Sequence, residues 1–365
     1  MRIALDAKRA YHNHRGLGNY SRDVIRLLTN YAPDEEYVLF ARPTDTYTFP
    51  HTTTIAPEGL WKLAPSLWRS FGCLHALQNT DLYCGLSGEL PFGIHRCAVK
   101  TIVTIHDLLV FRYPHLYSPG YRKLFAAKMR YATRVADIII AISEQTKRDI
   151  ITYLQADERK IRVVYQGCSP IFHEPVTAQK ITQVRAAYSL PEKYILYVGA
   201  LEKRKNLHML TEALALAHIT LPLVLVGNDS SYGRALQQQA AKNGVSINIL
   251  SGVPQADLPS LYHEASLFVY PSIFEGFGIP ILEALTVGTP VLTSTGSCFA
   301  EVGGEAALYA DPANPGEIAT QIKKIMSDPS LREQMIARGH EQAYKFTDEK
   351  VAQNLLTIYR ELCAF

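Results

Sequence analysis

At 365 residues the chain is longer than a single hydrophobic core usually grows, so two domains are expected. With 47% hydrophobic and 19% charged residues it is composed like an ordinary globular protein, which excludes a disordered chain. A formal net charge of +3 is too mild for a dedicated nucleic-acid binder, yet it leaves room for anionic substrates.

The opening "MRIALDAKRA" reads as a strand, because Asp6 interrupts its apolar run too soon for the core of a signal peptide. From there short β-branched runs alternate with amphipathic helices. "RIALDA", "YVLFA", "KTIVTI", "DIIIAIS" and "IRVVY" are the strands of the first half, and "YILYVGA", "PLVLVG", "INILSG", "LFVYPS", "PVLTS" and "ALYA" those of the second. Runs that are apolar at nearly every position suit strands covered on both faces, and helices between them give parallel, doubly wound α/β sheets. The stretch 165–177, rich in Gly, Pro and polar residues, separates the two series, so the expected domains are 1–170 and 171–345. Residues 346–365 have the pattern of an amphipathic helix, with Thr347 as N-cap and Asp348 and Glu349 in the first turn. No apolar run reaches the length of a membrane span. Cys73, Cys84, Cys97, Cys168, Cys298 and Cys363 include no C-x-x-C pair, so small buried thiols in a reduced, cytoplasmic protein are expected rather than a zinc or redox motif.

In α/β domains ligands sit outside the carboxyl ends of the strands, and the segments found there carry the candidate chemistry. "RGLGNYSR" places Gly16 and Gly18 between the first strand and the first helix, where the backbone can approach a phosphate. The third glycine of a dinucleotide fingerprint is missing, and a plain tight turn would use the same residues. "TIVTIHDL" puts His106 at the end of a buried strand, able to donate to a substrate hydroxyl or carbonyl; a structural histidine satisfied by nearby backbone is the commoner case. In "SPGYRKLFAAKMRYATRVAD", Ser118 caps a helix that sets Arg122, Lys123, Arg130 and Arg134 on one side and Leu124, Phe125, Met129 and Val135 on the other. That basic helix, 119–135, is a candidate for peripheral membrane contact through anionic headgroups, with a solvated charged face as the simpler alternative. "VGALEKRKNL" follows a strand with Gly199 and sets Lys203, Arg204 and Lys205 before a helix, a cluster suited to phosphate and equally to a solvated basic turn. In "FEGFGIPILEAL", Gly276 and Gly278 form a turn and Pro280 marks the helix start, an anion site fitting a diphosphate. Glu275 in the turn and Glu283 one helical turn further in suit vicinal hydroxyls of a ribose or hexose, unless both only answer the helix dipole.

In this order the motifs resemble those of the retaining glycosyltransferases of family 4, over essentially the whole chain. "EGFGIPILE" matches that family's two glutamates separated by seven residues. "YVGALEKRKNL" is similar to its phosphate-binding segment and "LDAKRAYHNHRGLGNYSRDVIRLL" to its N-terminal glycine loop, with "VTIHDL" and "AISEQTKRDI" completing the order. The resemblance implies a GT-B fold. Two doubly wound Rossmann-like domains would face across a cleft, the first binding acceptor and the second the nucleotide sugar, with helix 346–365 crossing back to the first. It also implies that Arg204 and Lys205 bind the donor diphosphate, assisted by the segment of Gly199, that Glu283 binds the ribose hydroxyls, and that Glu275 binds the donor sugar. The amides of Phe277, Gly278 and Ile279 would contact the sugar or diphosphate, and His106 the donor sugar from the other domain. Gly16 and Gly18 would leave room for diphosphate and acceptor, and the base would rest against Gly252 and Val253. There are two departures. Cys84 stands where related chains often carry a histidine, and Phe346 alone stands where an aromatic pair often precedes the last helix.

Breaking a sugar–diphosphate bond puts negative charge on the leaving group, so a preorganised cationic site is the first requirement. With Arg204, Lys205 and a helix dipole supplying it, no metal and no other cofactor is expected, and no Asp-x-Asp pair is present to hold one. The resemblance implies retention by same-face attack, with Glu275 as a covalent nucleophile the less favoured route. The expected activity is transfer of mannose or glucose from a GDP-mannose or UDP-glucose type donor to a glycan or lipid-linked glycan acceptor. The setting would be surface polysaccharide or lipopolysaccharide synthesis, in the cytoplasm or at the inner face of the membrane. A nucleotide-sugar epimerase and a non-catalytic nucleotide-sugar-binding protein are the alternatives, and no nucleic-acid partner is expected.

Overall fold

The computed structural model describes residues 1–364, whose thirteen strands form two separate all-parallel sheets. They belong to two units, one of Met1–Gln166 with the segment from Asp348 onward, the other of Gly167–Thr347.

In the N-terminal unit β1 (Arg2–Asp6), β2 (Glu36–Phe40), β3 (Thr52–Ile55), β4 (Leu82–Gly85), β5 (Lys100–Ile105), β6 (Ile138–Ala141) and β7 (Ile161–Val163) lie in the order 3-2-1-4-5-6-7. The chain lays strands outward from β1 and then returns to its other side, pairing Ile3 with Leu82 and Leu5 with Cys84. The connections therefore diverge above the carboxyl ends of β1 and β4 and open a crevice there. Strands β3 and β4 are additions to the sequence reading. β3, "TTTI", is a partly exposed edge strand without an apolar run, and β4, "LYCG", is fully buried but only four residues long.

The helix Gly16–Tyr31 buries Tyr20, Val24, Ile25, Leu27 and Leu28, a stripe at helical spacing facing the sheet. Gly16 and Gly18 are not in a loop before this helix, as expected from sequence, but inside its first turn, because a short helix, Lys8–His12, already follows β1. Gly18 is required by packing, since a Cβ there would stand 1.7 Å from the Asn13 carbonyl oxygen. The C-terminal helix, Asp348–Cys363, belongs to this unit and buries Val351, Leu355, Leu356 and Tyr359. Its first turn is held by a guanidinium fork, Arg26 donating to the two Asp348 oxygens at 2.6 and 3.1 Å. The Cys84 thiol lies against Tyr359, and burial pushes it up to about 12.

Helix Pro119–Val135 departs from its expected sidedness. Met129, Ala132 and Thr133 are its buried line, while Leu124 is exposed with Tyr121; Ser118 occupies the N-cap position without a capping bond from its side chain. All six cysteines are free, five buried and Cys97 only half-buried. No helix among the described residues is long and apolar enough to cross a membrane.

In the C-terminal unit β8 (Ile195–Val198), β9 (Leu223–Val226), β10 (Ile247–Leu250), β11 (Leu267–Tyr270), β12 (Val291–Ser294) and β13 (Ala307–Ala310) lie in the order 10-9-8-11-12-13. Every residue of β8, β9, β11 and β12 is buried, which is why these runs read as continuously apolar. Burial of side chains such as Leu267, Phe268 and Val269 stabilises the sheet by about 1.5–3 kcal/mol each relative to exposure. The order reverses between β8 and β11, so the ligand crevice of this unit lies above their carboxyl ends.

Candidate active site

The two strands that flank this reversal each deliver one charged loop. Beyond β8 the backbone passes through Gly199, at φ 151°, into a 3-10 turn, Lys203–Lys205, and then the helix Leu207–Leu216. Asn206 bends the chain at φ 61° and anchors it by donating from Nδ2 to the Pro312 carbonyl at 2.8 Å. Beyond β11 come Ser272, Glu275 and Gly278, the last at φ 113° as N-cap of the helix Ile279–Val287, which has Pro280 in its first turn. A left-handed residue at that point is strained with any side chain, so a glycine opens the helix.

The loops meet at the Glu275 carboxylate. Its Oε1 accepts from Lys205 Nζ at 2.5 Å, Ser272 Oγ at 2.6 Å, Arg204 Nη1 at 3.1 Å and Tyr270 OH at 3.3 Å. Lys205 Nζ also donates to Tyr270 OH at 2.8 Å. Burial alone would push the Glu275 carboxyl up, but the Lys205 and Arg204 charges outweigh it and hold the group below its ordinary value, ionised. Burial draws the Lys205 ammonium down, against the pull of Glu275. Arg204 is raised, because Glu275 and Glu202 overcome its desolvation, and its Nε lies 2.7 Å from Glu202. Among the described residues, Glu275 Oε2 and Arg204 Nη2 have no hydrogen-bond partner, so each side of the ion pair keeps one atom for a ligand.

Neighbouring turns fix this loop. Ser297, itself at φ 51°, accepts from the Glu275 amide at 3.1 Å and donates to the Glu275 carbonyl at 3.0 Å. The Cys298 thiol donates to the Phe277 carbonyl at 2.7 Å, and the buried Phe277 ring meets Phe346 edge-on at 5.6 Å. Glu283 is buried in the helix beyond, its Oε2 accepting from Tyr262 OH at 2.8 Å. Gly252, at φ 69°, and Val253 follow β10, the outer strand of the sheet, two strands away from β8.

In the N-terminal unit the carboxyl ends of the strands open into a cavity of about 250 Å³. It is lined by Arg9 and Leu17 after β1, Ser87 and Glu89 after β4, His106 after β5, and Lys128 of the basic helix. Gly16 and Gly18 flank Leu17 without lining the cavity themselves. The His106 ring packs edge-on against Tyr20 at 4.5 Å, and its Nε2–H donates to the Leu86 carbonyl at 2.9 Å. Burial pushes its pKa down to about 4, so the ring is neutral at pH 7 and Nδ1 carries the lone pair. The ring proton is thus taken by backbone, the arrangement of a histidine satisfied by nearby backbone, and Nδ1 is left as an acceptor.

An ion chain, buried at Asp6 and Arg69 and half-buried at Glu89 and Lys128, braces this cavity. Asp6 pairs with Arg69 Nε at 3.3 Å, Arg69 pairs with Glu89, and Lys128 pairs with Glu89 at 3.3 Å. Facing it, the buried atoms Arg9 Nε and Ser87 Oγ have no partner among the described residues. Sequence reasoning missed this chain, together with Tyr270, Ser272 and Ser297. The one available signal was that Tyr270 and Ser272 are polar residues closing an apolar strand just before the glycine turn.

Two family models match the chain, Glycosyltransferase Family 4 over residues 22–170 and Glycosyl transferases group 1 over residues 181–342. The chain belongs to the group 1, family 4 glycosyltransferases. The O-antigen chain mannosyltransferase B of Escherichia coli is 29% identical over 374 residues, covering 95% of this chain and 96% of that protein. Two solved structures superpose over essentially the whole chain. Sucrose-phosphate synthase from Thermosynechococcus elongatus has a TM-score of 0.81 at 24% identity, covering 100% of this chain and 99% of that one. HepE from Anabaena, in complex with UDP-glucose, has a TM-score of 0.77 at 18% identity, covering 99% and 100%. The protein is thus a glycosyltransferase of GT-B fold.

Proposed function

We propose that the enzyme transfers mannose or glucose from a GDP-mannose or UDP-glucose type donor to a glycan or lipid-linked glycan acceptor, with retention and without a divalent metal. The pathway is synthesis of a bacterial-type surface polysaccharide or lipopolysaccharide. The observation that carries this reading is the Glu275 cluster, where loops from the two strands at the sheet reversal share one carboxylate between two cations. The donor diphosphate binds at Arg204 and the helix opened by Gly278, where a fixed positive field is already in place for the charge that develops on departure. Lys205 and Arg204 hold Glu275 by one oxygen, and its other oxygen accepts from a hydroxyl of the donor sugar. Glu283 takes the ribose hydroxyls, and Gly252 and Val253 support the base. His106 accepts from a sugar hydroxyl, and the unpartnered Arg9 and Ser87 atoms supply donors to the acceptor.

In the reaction the bond from the anomeric carbon to the diphosphate oxygen breaks, and a bond to the acceptor oxygen forms on the same face. The acceptor proton passes to the departing phosphate oxygen. The name of the E. coli relative and the UDP-glucose held by HepE support a mannosyl or glucosyl donor. Incubation with radiolabelled donors and a synthetic acceptor, with product anomers assigned by NMR, tests the reading. Label transfer with retained configuration, at a rate unchanged by chelator, is expected. An altered donor sugar would instead establish an epimerase, and binding without transfer or slow donor hydrolysis a non-catalytic sensor.

A further inference from the structure

The Glu275 cluster contains one hydroxyl with no part in the chemistry above, that of Tyr270, the last residue of β11. The residue is buried, and it is held from both sides. Its ring stacks on Tyr197 of β8 at 5.8 Å and on Phe268 at 6.0 Å, and it meets Phe299 edge-on at 6.3 Å. Its backbone carbonyl accepts from Thr293 Oγ1 of β12 at 2.8 Å. The hydroxyl is therefore presented from a rigid support.

Buried tyrosines commonly spend the hydroxyl on a backbone carbonyl, as Tyr197 does on Ala200 at 3.0 Å and Tyr194 on Leu261 at 2.8 Å. Tyr270 is different. Its oxygen accepts from Lys205 Nζ at 2.8 Å and its proton goes to Glu275 Oε1 at 3.3 Å, so it touches both charges of the pair. An ammonium carries three protons in a tetrahedral arrangement. Glu275 takes one at 2.5 Å and Tyr270 a second, and among the described residues Lys205 Nζ has no third acceptor. One acceptor would let the long side chain swing about that bond, whereas two fix both the position of Nζ and the direction of the remaining N–H. Lys205 is only 5% exposed, so little water competes for that proton.

We infer that Tyr270 is a positioning residue for sugar transfer: by accepting from Lys205 while donating to Glu275, its hydroxyl aims the third ammonium proton at the departing diphosphate oxygen. Burial keeps the phenol protonated, so it adds direction to the site without adding charge. Tyr270 neither gives nor takes a proton in the reaction. Its contribution grows with the negative charge on the leaving oxygen, because Arg204 and the helix N-terminus already hold the diphosphate in the ground state. The inference rests on the reading of Lys205 as a ligand of the donor diphosphate.

Tyr270→Phe keeps the ring and removes the hydroxyl. Release of nucleoside diphosphate from UDP-glucose and GDP-mannose by the full-length enzyme, with a synthetic mannoside or glucoside as acceptor, measures the effect on whichever donor the wild type uses. Tyr270→Phe should lower kcat about tenfold, the loss of one hydrogen bond to a charged group, and change the donor KM by less than about twofold. In a Lys205→Ala background the same change should cost nothing further, because the hydroxyl acts through the ammonium. Tyr194→Phe, which removes a buried hydroxyl of the same unit outside the site, should lower the thermal midpoint with kcat unchanged, so that lost stability is told apart from lost positioning. An unchanged kcat in Tyr270→Phe, an effect confined to donor KM, or a full additional loss in the Lys205→Ala background would overturn the inference. A Lys205→Ala enzyme as active as wild type would defeat the reading beneath it and the inference together, so the two failures are distinguishable.

Discussion

The two crevices of this enzyme are built on the same device, a parallel sheet whose strand order reverses, yet they are finished in opposite ways. In the C-terminal unit the carboxyl ends of β8 and β11 are stitched into one ion cluster, where a single carboxylate oxygen accepts four hydrogen bonds. In the N-terminal unit the ion chain Asp6–Arg69–Glu89–Lys128 runs from behind the cavity into its wall, where Glu89 and Lys128 stand, and the cavity itself keeps unpartnered atoms on Arg9 and Ser87. On the proposed function the difference matches the work of each unit. A leaving diphosphate presents the same charge in every turnover and rewards a rigid site, whereas an acceptor must enter and then leave longer by one sugar.

Variants on the two sides should therefore behave differently, and the largest separation is expected at Lys205. Lys205→Ala leaves Glu275 buried without its ammonium partner and removes fixed charge from the proposed diphosphate site. Single-turnover kinetics should show a loss of about 10²- to 10³-fold, with a lowered thermal midpoint. A smaller effect of another kind is expected at Glu283. Glu283→Ala should raise the donor Kd about tenfold with a lesser effect on kcat, whereas an equal loss of stability with unchanged Kd would reduce Glu283 to a helix residue held by Tyr262. On the acceptor side, Ser87→Ala should raise the acceptor KM by roughly two- to tenfold and leave the donor Kd alone. A change in donor affinity would merge the two sites that the comparison separates.

The smallest effect is on pH dependence. His106 gains its proton near pH 6.5 in the unfolded chain but only near 4 in the folded one, so between these values the unfolded state binds the extra proton. The stability this group contributes is fully present above pH 6.5 and is lost as the pH falls through that window toward 4. Thermal midpoints of wild type and His106→Gln measured from pH 7 to pH 4 should diverge in slope, the variant showing the flatter decline.

What could be read in the sequence was what is local. "EGFGIP" and "EKRKN" carry glycines, a proline and charges inside one turn each, so their placement after strands and before helices followed from chain order alone. That Lys205 and Glu275, seventy residues apart, share one hydrogen bond could not be read, because it depends on β8 and β11 being neighbours across the reversal. The same holds for Arg69 with Asp6 and Glu89, which come from three separate segments. β3 and β4 were missed because an edge strand needs no apolar run and a four-residue strand leaves too short a pattern. The sidedness of helix Pro119–Val135 misled because one of its apolar residues, Leu124, faces outward, and no periodicity tells an exposed apolar stripe from a buried one.

The central claim is that the Arg204–Lys205–Glu275 cluster is the seat of the donor diphosphate. Titration calorimetry of UDP and GDP into full-length wild type, Arg204→Ala and Ser87→Ala measures it directly. One of the two nucleotides should bind wild type and Ser87→Ala with the same Kd and bind Arg204→Ala at least about tenfold more weakly, the loss of a charge-assisted contact. Equal affinity in Arg204→Ala and wild type would contradict the account.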